Sequence, residues 1–352
     1  MTLRAQLLAR IAASGPITLA DYMADCLLHP KYGYYATRDP LGTGGDFTTA
    51  PEISQMFGEM IGLCLAQSWL DQGAPTPFIL AEIGPGRGTA MADMLRATRA
   101  VPGFHAALQV HLVEASPTLR DKQKQSLSAY KVTWHDAADT LPELPLYLLA
   151  NEFFDALPIR QFQRDGTGWR ELLIGAADNQ LTFGLSDPTQ LAALDHRLPD
   201  TRNGDIVELC APASAIAQTI GQHIQSHGGT ALVIDYGDWR SLGDTLQALS
   251  AHQHTDPLAD PGNADLTTHV DFEALATATP SAHTRLTTQG IFLERLGITA
   301  RANALAQRLT GTALETHIAA HRRLTDPTEM GRLFKVIAFY RRETPPPPGF
   351  DQ

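Results

Sequence analysis

The chain has 352 residues, 43% of them hydrophobic, and a formal net charge of −11. That length supports two domains or one large domain with additions, and the acid excess excludes a surface built to hold nucleic-acid phosphates nonspecifically. No apolar run approaches the roughly 20 residues that span a bilayer. The expected partner is therefore a protein or a cation, with neither nucleic acid nor membrane insertion. Cys26, Cys64 and Cys210 form no CxxC pair, so they suggest buried thiols rather than a zinc site or a disulfide framework.

The N-terminus, MTLRAQLLARIAASGPITLADYM, lacks a secretory apolar region and cleavage site. Its arginines and alanines mimic a mitochondrial presequence, but the helical pattern runs directly into the next element, so a bacterial cytoplasmic location is expected. Helices are expected over Leu3 to Ala13, from a cap at Thr18, and from about Glu52 to Gln72. Between the last two lies KYGYYATRDPLGTGGDFTTAPEIS, a long loop of the kind that often carries function. Residues 1–76 read as a helical cap bearing a substrate or cofactor loop.

From Pro77 the pattern becomes strand, turn, helix. FILAEIG, VHLVEAS, KVTWHDA, LYLLAN, TALVIDYG, HTRLTTQG and LFKVIAFYRR supply the strands. Almost wholly apolar strands alternating with helices predict an α/β fold with a parallel sheet covered on both faces. This core takes in 77–158 and 210–343. Residues 159–209 interrupt it, because IRQFQRDGTGWRELLIGAADNQLTFG reads as antiparallel strands with turns at Asp165-Gly166 and Asp178-Asn179. PASAIAQTIGQHIQSHG is the helix that returns the chain to the fifth strand.

A dinucleotide turn needs GxGxxG, whereas Gly84, Gly86 and Gly88 give GxGxG with Thr89 in the next place. A nicotinamide oxidoreductase is disfavoured, and no GK[ST] follows to make a phosphate-binding loop. E-x-G-x-G-x-G, with Glu82 leading, resembles the first motif of class I S-adenosylmethionine-dependent methyltransferases, which have a Rossmann-like sheet. Its chemistry reads independently of the resemblance. Glycines let backbone pass close under a ligand, N–H groups at a helix start favour a carboxylate, and Glu82 suits a cationic cofactor. Glu114, ending VHLVEAS, is placed to accept from both ribose hydroxyls, and Asp136, after KVTWH, from the adenine amine. Asn151 is assigned to the cofactor side. Asp46 and Thr48, just before a helix start near Pro51, are placed to touch the cofactor or close over it.

The reacting end is expected after the fourth strand, in ANEFFDALPIRQF. Methyltransferases acting on base amines commonly carry an Asn/Asp-Pro-Pro-aromatic motif there, but Glu152 and Phe153 replace both prolines. Glu152 and Asp155 suggest a cationic acceptor instead and are the candidate catalytic pair. HQHTDPLADPGNADLTTHVDF brings His252, His254, Asp265, Thr267, Thr268, His269 and Asp271 as an acceptor-side lid, and Tyr236 faces the same crevice. No clean metal-ligand set emerges from these histidines.

GYYATRDPLGTGGDFTTAPEISQMFGEMIG, EIGPGRGT, ANEFFDALP, LVIDYG, HTDPLADPGNADLTTHVDF and MGRLFKVIAF together look like the MidA family, in order and over nearly the whole chain. The resemblance implies a protein arginine N-methyltransferase; mitochondrial members symmetrically dimethylate a subunit of NADH:ubiquinone oxidoreductase during complex I assembly. It points to a protein substrate, such as a complex I subunit, with oligomeric state open and a homodimer one option. Two other readings share the cofactor features: a small-molecule methyltransferase, and a non-catalytic assembly factor that holds a client.

Overall fold

The computed structural model describes residues 2–37, 49–250 and 253–351. Asp46, Thr48 and His252 lie outside them. Among the described residues the central sheet has nine strands, two of them the short flanking pairs Val270–Asp271 and Thr287–Thr288, and seven along its main path: β1 (Phe78–Ile83), β2 (Leu108–Val113), β3 (Val132–His135), β4 (Leu146–Asn151), β5 (Gly229–Asp238), β6 (Ala282–His283) and β7 (Phe334–Tyr340). Their order is β3-β2-β1-β4-β5-β7-β6. β1 to β5 are parallel, and β7 enters antiparallel beside β5, with Thr230 opposite Tyr340. The strand order reverses between β1 and β4, so their carboxyl ends flank the crevice in which open α/β sheets bind ligands.

Alternation along each strand explains the double-sided burial. Phe78 and Leu80 of β1, Tyr147 and Leu149 of β4, and Leu232 and Ile234 of β5 feed one core. Ile79, Ala81 and Ile83, Leu148 and Ala150, and Ala231 and Val233 feed the other. Helices Gln55–Asp71 and Thr89–Ala97 cover the first face, and Ala211–His227 and Phe272–Ala278 the second.

Two expectations need correction. The helix predicted from Glu52 is split: Ala50–Ile53 ends at Ser54, which is extended, and the Ser54 hydroxyl accepts from the Met56 amide at 3.2 Å to start Gln55–Asp71. A serine side chain competes well as an N-cap, and this overrides the apolar period running through it. HTRLTTQG does not make one strand; it leaves only β6 and Thr287–Thr288, both bonded to β7. Helices Gln289–Arg295, Ile298–Ala306 and Gly311–Thr325 follow.

Gly58 and Gly62 let Gln55–Asp71 lie directly on Thr89–Ala97. An added Cβ at Gly62 would stand 2.7 Å from the Met94 Cα, and one at Gly58 2.6 Å from the Asp93 Cβ. Between them Glu59, 3% exposed, accepts from Arg96 at 2.6 Å and Arg301 at 2.7 Å. Gly62→Val is expected to cost about 1–3 kcal/mol through overpacking, read as a lower urea midpoint. An unchanged midpoint would mean that the helices can part.

The insertion forms its own antiparallel sheet from Arg160–Asp165, Gly168–Ala177, Gln180–Leu185 and Ile206–Leu209. Asp178 and Asn179, both at positive φ, close the tight hairpin that Asp-Asn predicts. Ile17–Thr18 adds a strand to its edge, opposite Ile174 and Leu173, and Leu7, Leu19 and Tyr22 share a core with Ile174 and Leu181. The N-terminal helices and the insertion thus pack as one layer. A third small sheet, Gln247–Ser250, Gln253–Thr255 and Asp265–Thr267, forms a flap. Among the described residues no helix is long and apolar enough to cross a membrane.

Candidate active site

A cavity of about 500 Å³ opens at the carboxyl ends of β1, β2, β4 and β5. Glu82, Gly84, Gly86, Glu114, Asp136, Asn151, Glu152 and Asp155 all line it, whereas Gly88 lies behind it as the N-cap of Thr89–Ala97. Glu82 shares its strand face with Leu80, on the side covered by Thr89–Ala97, and accepts from the Met91 amide in that helix's first turn. Burial pushes its carboxyl up to about 8, and the nearby Glu114 charge adds to the effect. Its Oε2 is buried without a donor among the described residues.

The glycine turn is shaped by what packs on it. Gly84 has φ +63°, and a Cβ there would meet the Phe153 ring at 2.9 Å. The turn after β4 therefore rests on the turn after β1, which joins two motifs 69 residues apart in the sequence. Gly86 also has positive φ, and its carbonyl accepts from the Gln123 amide at 2.8 Å. Gln123, fully buried in helix Pro117–Ser126, also donates to Glu114 at 3.1 Å and accepts from Trp134 Nε1 at 2.8 Å. It ties the glycine turn to the ends of β2 and β3. Sequence reasoning missed it because a glutamine on a polar helix carries no local signal.

The other Glu114 oxygen accepts from the Ser116 amide at 2.7 Å, and burial raises the carboxyl above its ordinary value. Asp136 differs sharply from the other two strand-end acids. Its side chain is 90% exposed and bonded to Arg120, which also donates to the Glu114 and His135 carbonyls. It sits at the cavity rim.

On the turn after β4, Glu152 has φ +50°, a left-handed conformation that is costly for a residue with a Cβ and clusters at functional sites. Its Oε1 accepts from the Ala50 amide at 3.0 Å and from Asn151 Nδ2 at 3.1 Å. Burial pushes the Glu152 carboxyl up to about 7, and Asp155 up to about 6 against the pull of a Tyr236 hydrogen bond. Asp155 Oδ1 and Asn151 Oδ1 are buried without donors among the described residues.

Asp235, inside β5 near its carboxyl end and fully buried, holds this turn. Its Oδ2 accepts from the amides of Phe153 (3.2 Å), Phe154 (2.9 Å) and Asp155 (3.3 Å), and its Oδ1 from Tyr236 (3.0 Å). Burial and the charges of Asp155 and Glu152 drive its carboxyl well above the usual range. The available signal was a lone acid near the end of the apolar run ALVIDYG. Of the expected lid residues, Asp265 and Thr267 reach the cavity, and His269 stands edge-on to Tyr236 at 5.5 Å. Asp271 instead caps helix Phe272–Ala278 through the Ala274 amide.

The donor-starved atoms of Glu82, Asn151 and Asp155 are all acceptors, and among the described residues the carboxylates at the cavity wall, Glu52, Glu82, Glu114, Asp136, Glu152, Asp155 and Asp265, far outweigh its arginine, Arg87. Such a wall calls for a ligand rich in donors and positive charge. S-adenosylmethionine, with its sulfonium, ammonium, ribose hydroxyls and adenine amine, meets that demand, and the cavity is of small-molecule size. Comparison with known proteins agrees. Residues 60–292 match the family model described as "Putative S-adenosyl-L-methionine-dependent methyltransferase". The Xenopus laevis protein arginine methyltransferase NDUFAF7, mitochondrial, is 37% identical over 94% of this chain and 83% of its own length. The Homo sapiens protein of that name is 34% identical over 94% and 82%. A crystal structure from Burkholderia thailandensis bound to S-adenosyl-homocysteine superposes with a TM-score of 0.82 at 30% identity, covering 99% of this chain and 92% of that one. The names of the relatives place them in mitochondria and lend no support to the cytoplasmic location expected from the N-terminus. The chain thus belongs to this family of S-adenosylmethionine-dependent methyltransferases.

Proposed function

We propose that the protein methylates an arginine side chain of a protein substrate, with a respiratory complex I subunit as the candidate that the family resemblance suggests. The observation that carries this reading is the acidic acceptor end, Glu152 and Asp155, in one cavity with Glu82 and Glu114. On the cofactor side, Glu82 and Asn151 face the cationic end, Glu114 takes the ribose hydroxyls, and Asp136 takes the adenine amine from the rim. Gly84 and Gly86 bring the backbone of the turn to the cavity wall, and Gly88 starts the helix whose N-terminus lies behind it. Asp46 and Thr48 stay with this group on the strength of the sequence.

When bound, the cofactor supplies a methyl group on a sulfonium sulfur, which departs as a neutral thioether. The protein's own task is to prepare the acceptor. A guanidinium is always protonated and delocalised, hence a weak nucleophile. Glu152 and Asp155, ionised, bind it through charge-assisted hydrogen bonds, hold one nitrogen in line and concentrate electron density there. Once the nitrogen is methylated it sheds a proton to one of these carboxylates, whose raised proton affinity suits it to accept.

The test is incubation with methyl-labelled S-adenosylmethionine and a lysate lacking the protein. Label at arginine in a protein is expected, and label confined to small molecules would sink the reading. Glu114→Ala is expected to weaken S-adenosyl-homocysteine binding more than about tenfold, since each charge-assisted hydrogen bond is worth roughly 1.5–3 kcal/mol. Calorimetric titration checks this, and an unchanged affinity would remove Glu114 from the ribose site.

A further inference from the structure

The flap carries a carboxylate that the sequence groups with an acceptor-side lid but to which nothing above gives a specific task. Asp265 begins the flap strand Asp265–Thr267, is 3% exposed and lines the cavity. The Tyr35 hydroxyl stands 2.9 Å and 3.0 Å from its two oxygens. Tyr35 lines the cavity too, and its own carbonyl accepts from the Ser116 hydroxyl at 2.9 Å, beside the cofactor-side acid Glu114. It is therefore a strut with its backbone on the donor half and its hydroxyl on Asp265. The flap is also tied to the opposite wall. The Thr268 amide, three residues after Asp265, donates to the Asp155 carbonyl at 2.9 Å. Two carboxylates from different elements, Asp155 on the turn after β4 and Asp265 on the flap, are thus held in a set relation. Asp155, 6% exposed, has an Oδ1 that finds no donor among the described residues.

We propose that Asp265 selects arginine over lysine: with Asp155 it forms a two-walled acceptor site that only a planar, forked cation satisfies. A guanidinium presents N–H groups along two edges in a fixed plane, so it can bond to both walls at once. An alkylammonium is a compact point charge whose donors radiate from one nitrogen, so it satisfies one wall and leaves the other. The Tyr35 hydroxyl stands against both Asp265 oxygens and so fixes the orientation of that carboxylate. Asp265 is a specificity residue, and Tyr35 a positioning residue that acts through it.

The inference rests on the arginine-acceptor reading of the cavity. It is tested by titrating the full-length protein, saturated with S-adenosyl-homocysteine, with n-butylguanidinium and with n-butylammonium. The wild-type protein is expected to bind the guanidinium about tenfold more tightly or better, a difference of ~1.4 kcal/mol. Asp265→Asn, which keeps shape and an acceptor for Tyr35, is expected to erase most of that preference. S-adenosyl-homocysteine affinity should stay within about twofold of wild type, and ammonium affinity should fall by less than guanidinium affinity. Tyr35→Phe should lower the preference in the same direction while leaving both carboxylates in place. If the wild type prefers guanidinium and Asp265→Asn retains the full preference, Asp265 does not select, although the acceptor reading stands. If the wild type binds S-adenosyl-homocysteine but neither cation, the acceptor reading itself fails and takes this inference with it.

Discussion

Glu152→Gln and Asp155→Asn proteins are expected to bind S-adenosyl-homocysteine as the wild type does and to lose about 10²–10⁴-fold in methyl transfer, the range that a positioned acid or base commonly supplies. Each substitution keeps the side-chain shape but removes the charge that holds a guanidinium and the site that accepts its proton. Wild-type rates in both variants would remove the pair from the mechanism. The pH profile gives an independent check. With the carboxyls near 7 and 6 in the free protein, kcat/KM should fall as pH drops below about 7, because a protonated carboxyl neither pairs with the substrate nor takes up a proton. In Glu152→Gln that fall should move to lower pH.

The same carboxyls bear on stability with the opposite sign. A carboxyl whose folded proton affinity lies above its unfolded one is costly when ionised, so the ligand-free fold is most stable below the ordinary value of 4.5. It weakens as pH rises from there through about 7. Glu152→Gln removes that cost and should be the more stable protein at pH 8, by up to about 3 kcal/mol at ~1.4 kcal/mol per tenfold change in proton affinity. An inactive variant that is also harder to unfold at pH 8 than at pH 5, relative to wild type, would show that the site stores destabilisation for binding a cation.

Asp235→Ala is expected to cost about 3–6 kcal/mol, because it strands the amides of Phe153, Phe154, Asp155 and Tyr236 around a fully buried position, at roughly 1–3 kcal/mol for each that finds no new partner. The loss should appear both as a lower denaturation midpoint and as failed catalysis, since the freed turn carries Glu152 and Asp155. Asp235→Asn should be milder: one oxygen still accepts, and the repulsion from Asp155 and Glu152 disappears. A midpoint for the alanine variant equal to wild type would mean that Gly84 packing against Phe153 is enough to set the turn.

By itself the sequence determined the parts of this protein that local chemistry decides. Apolar runs with helices between them specify a sheet covered on both faces. Gly84 and Gly86 specify a turn that no side chain can follow, and Glu82, Glu114 and Glu152 stand at strand ends because their strands stop there. The Asp178-Asn179 hairpin follows from two residues that tolerate positive φ. Contacts made across long separations were decided only by the tertiary structure. Asp136 follows its strand just as Glu114 does, yet its side chain lies in solvent against Arg120, because β3 is the edge of the sheet and β2 is not. Gln123 and Asp235 look unremarkable in the chain and become the fasteners of the two turns, since a buried oxygen's value depends on which amides arrive from elsewhere. Tyr35 and Asp265, 230 residues apart, meet because the N-terminal helices and the flap enclose one cavity. Periodicity reports which face of an element is buried; it says nothing of which polar atoms will converge there, and that convergence shapes the cavity.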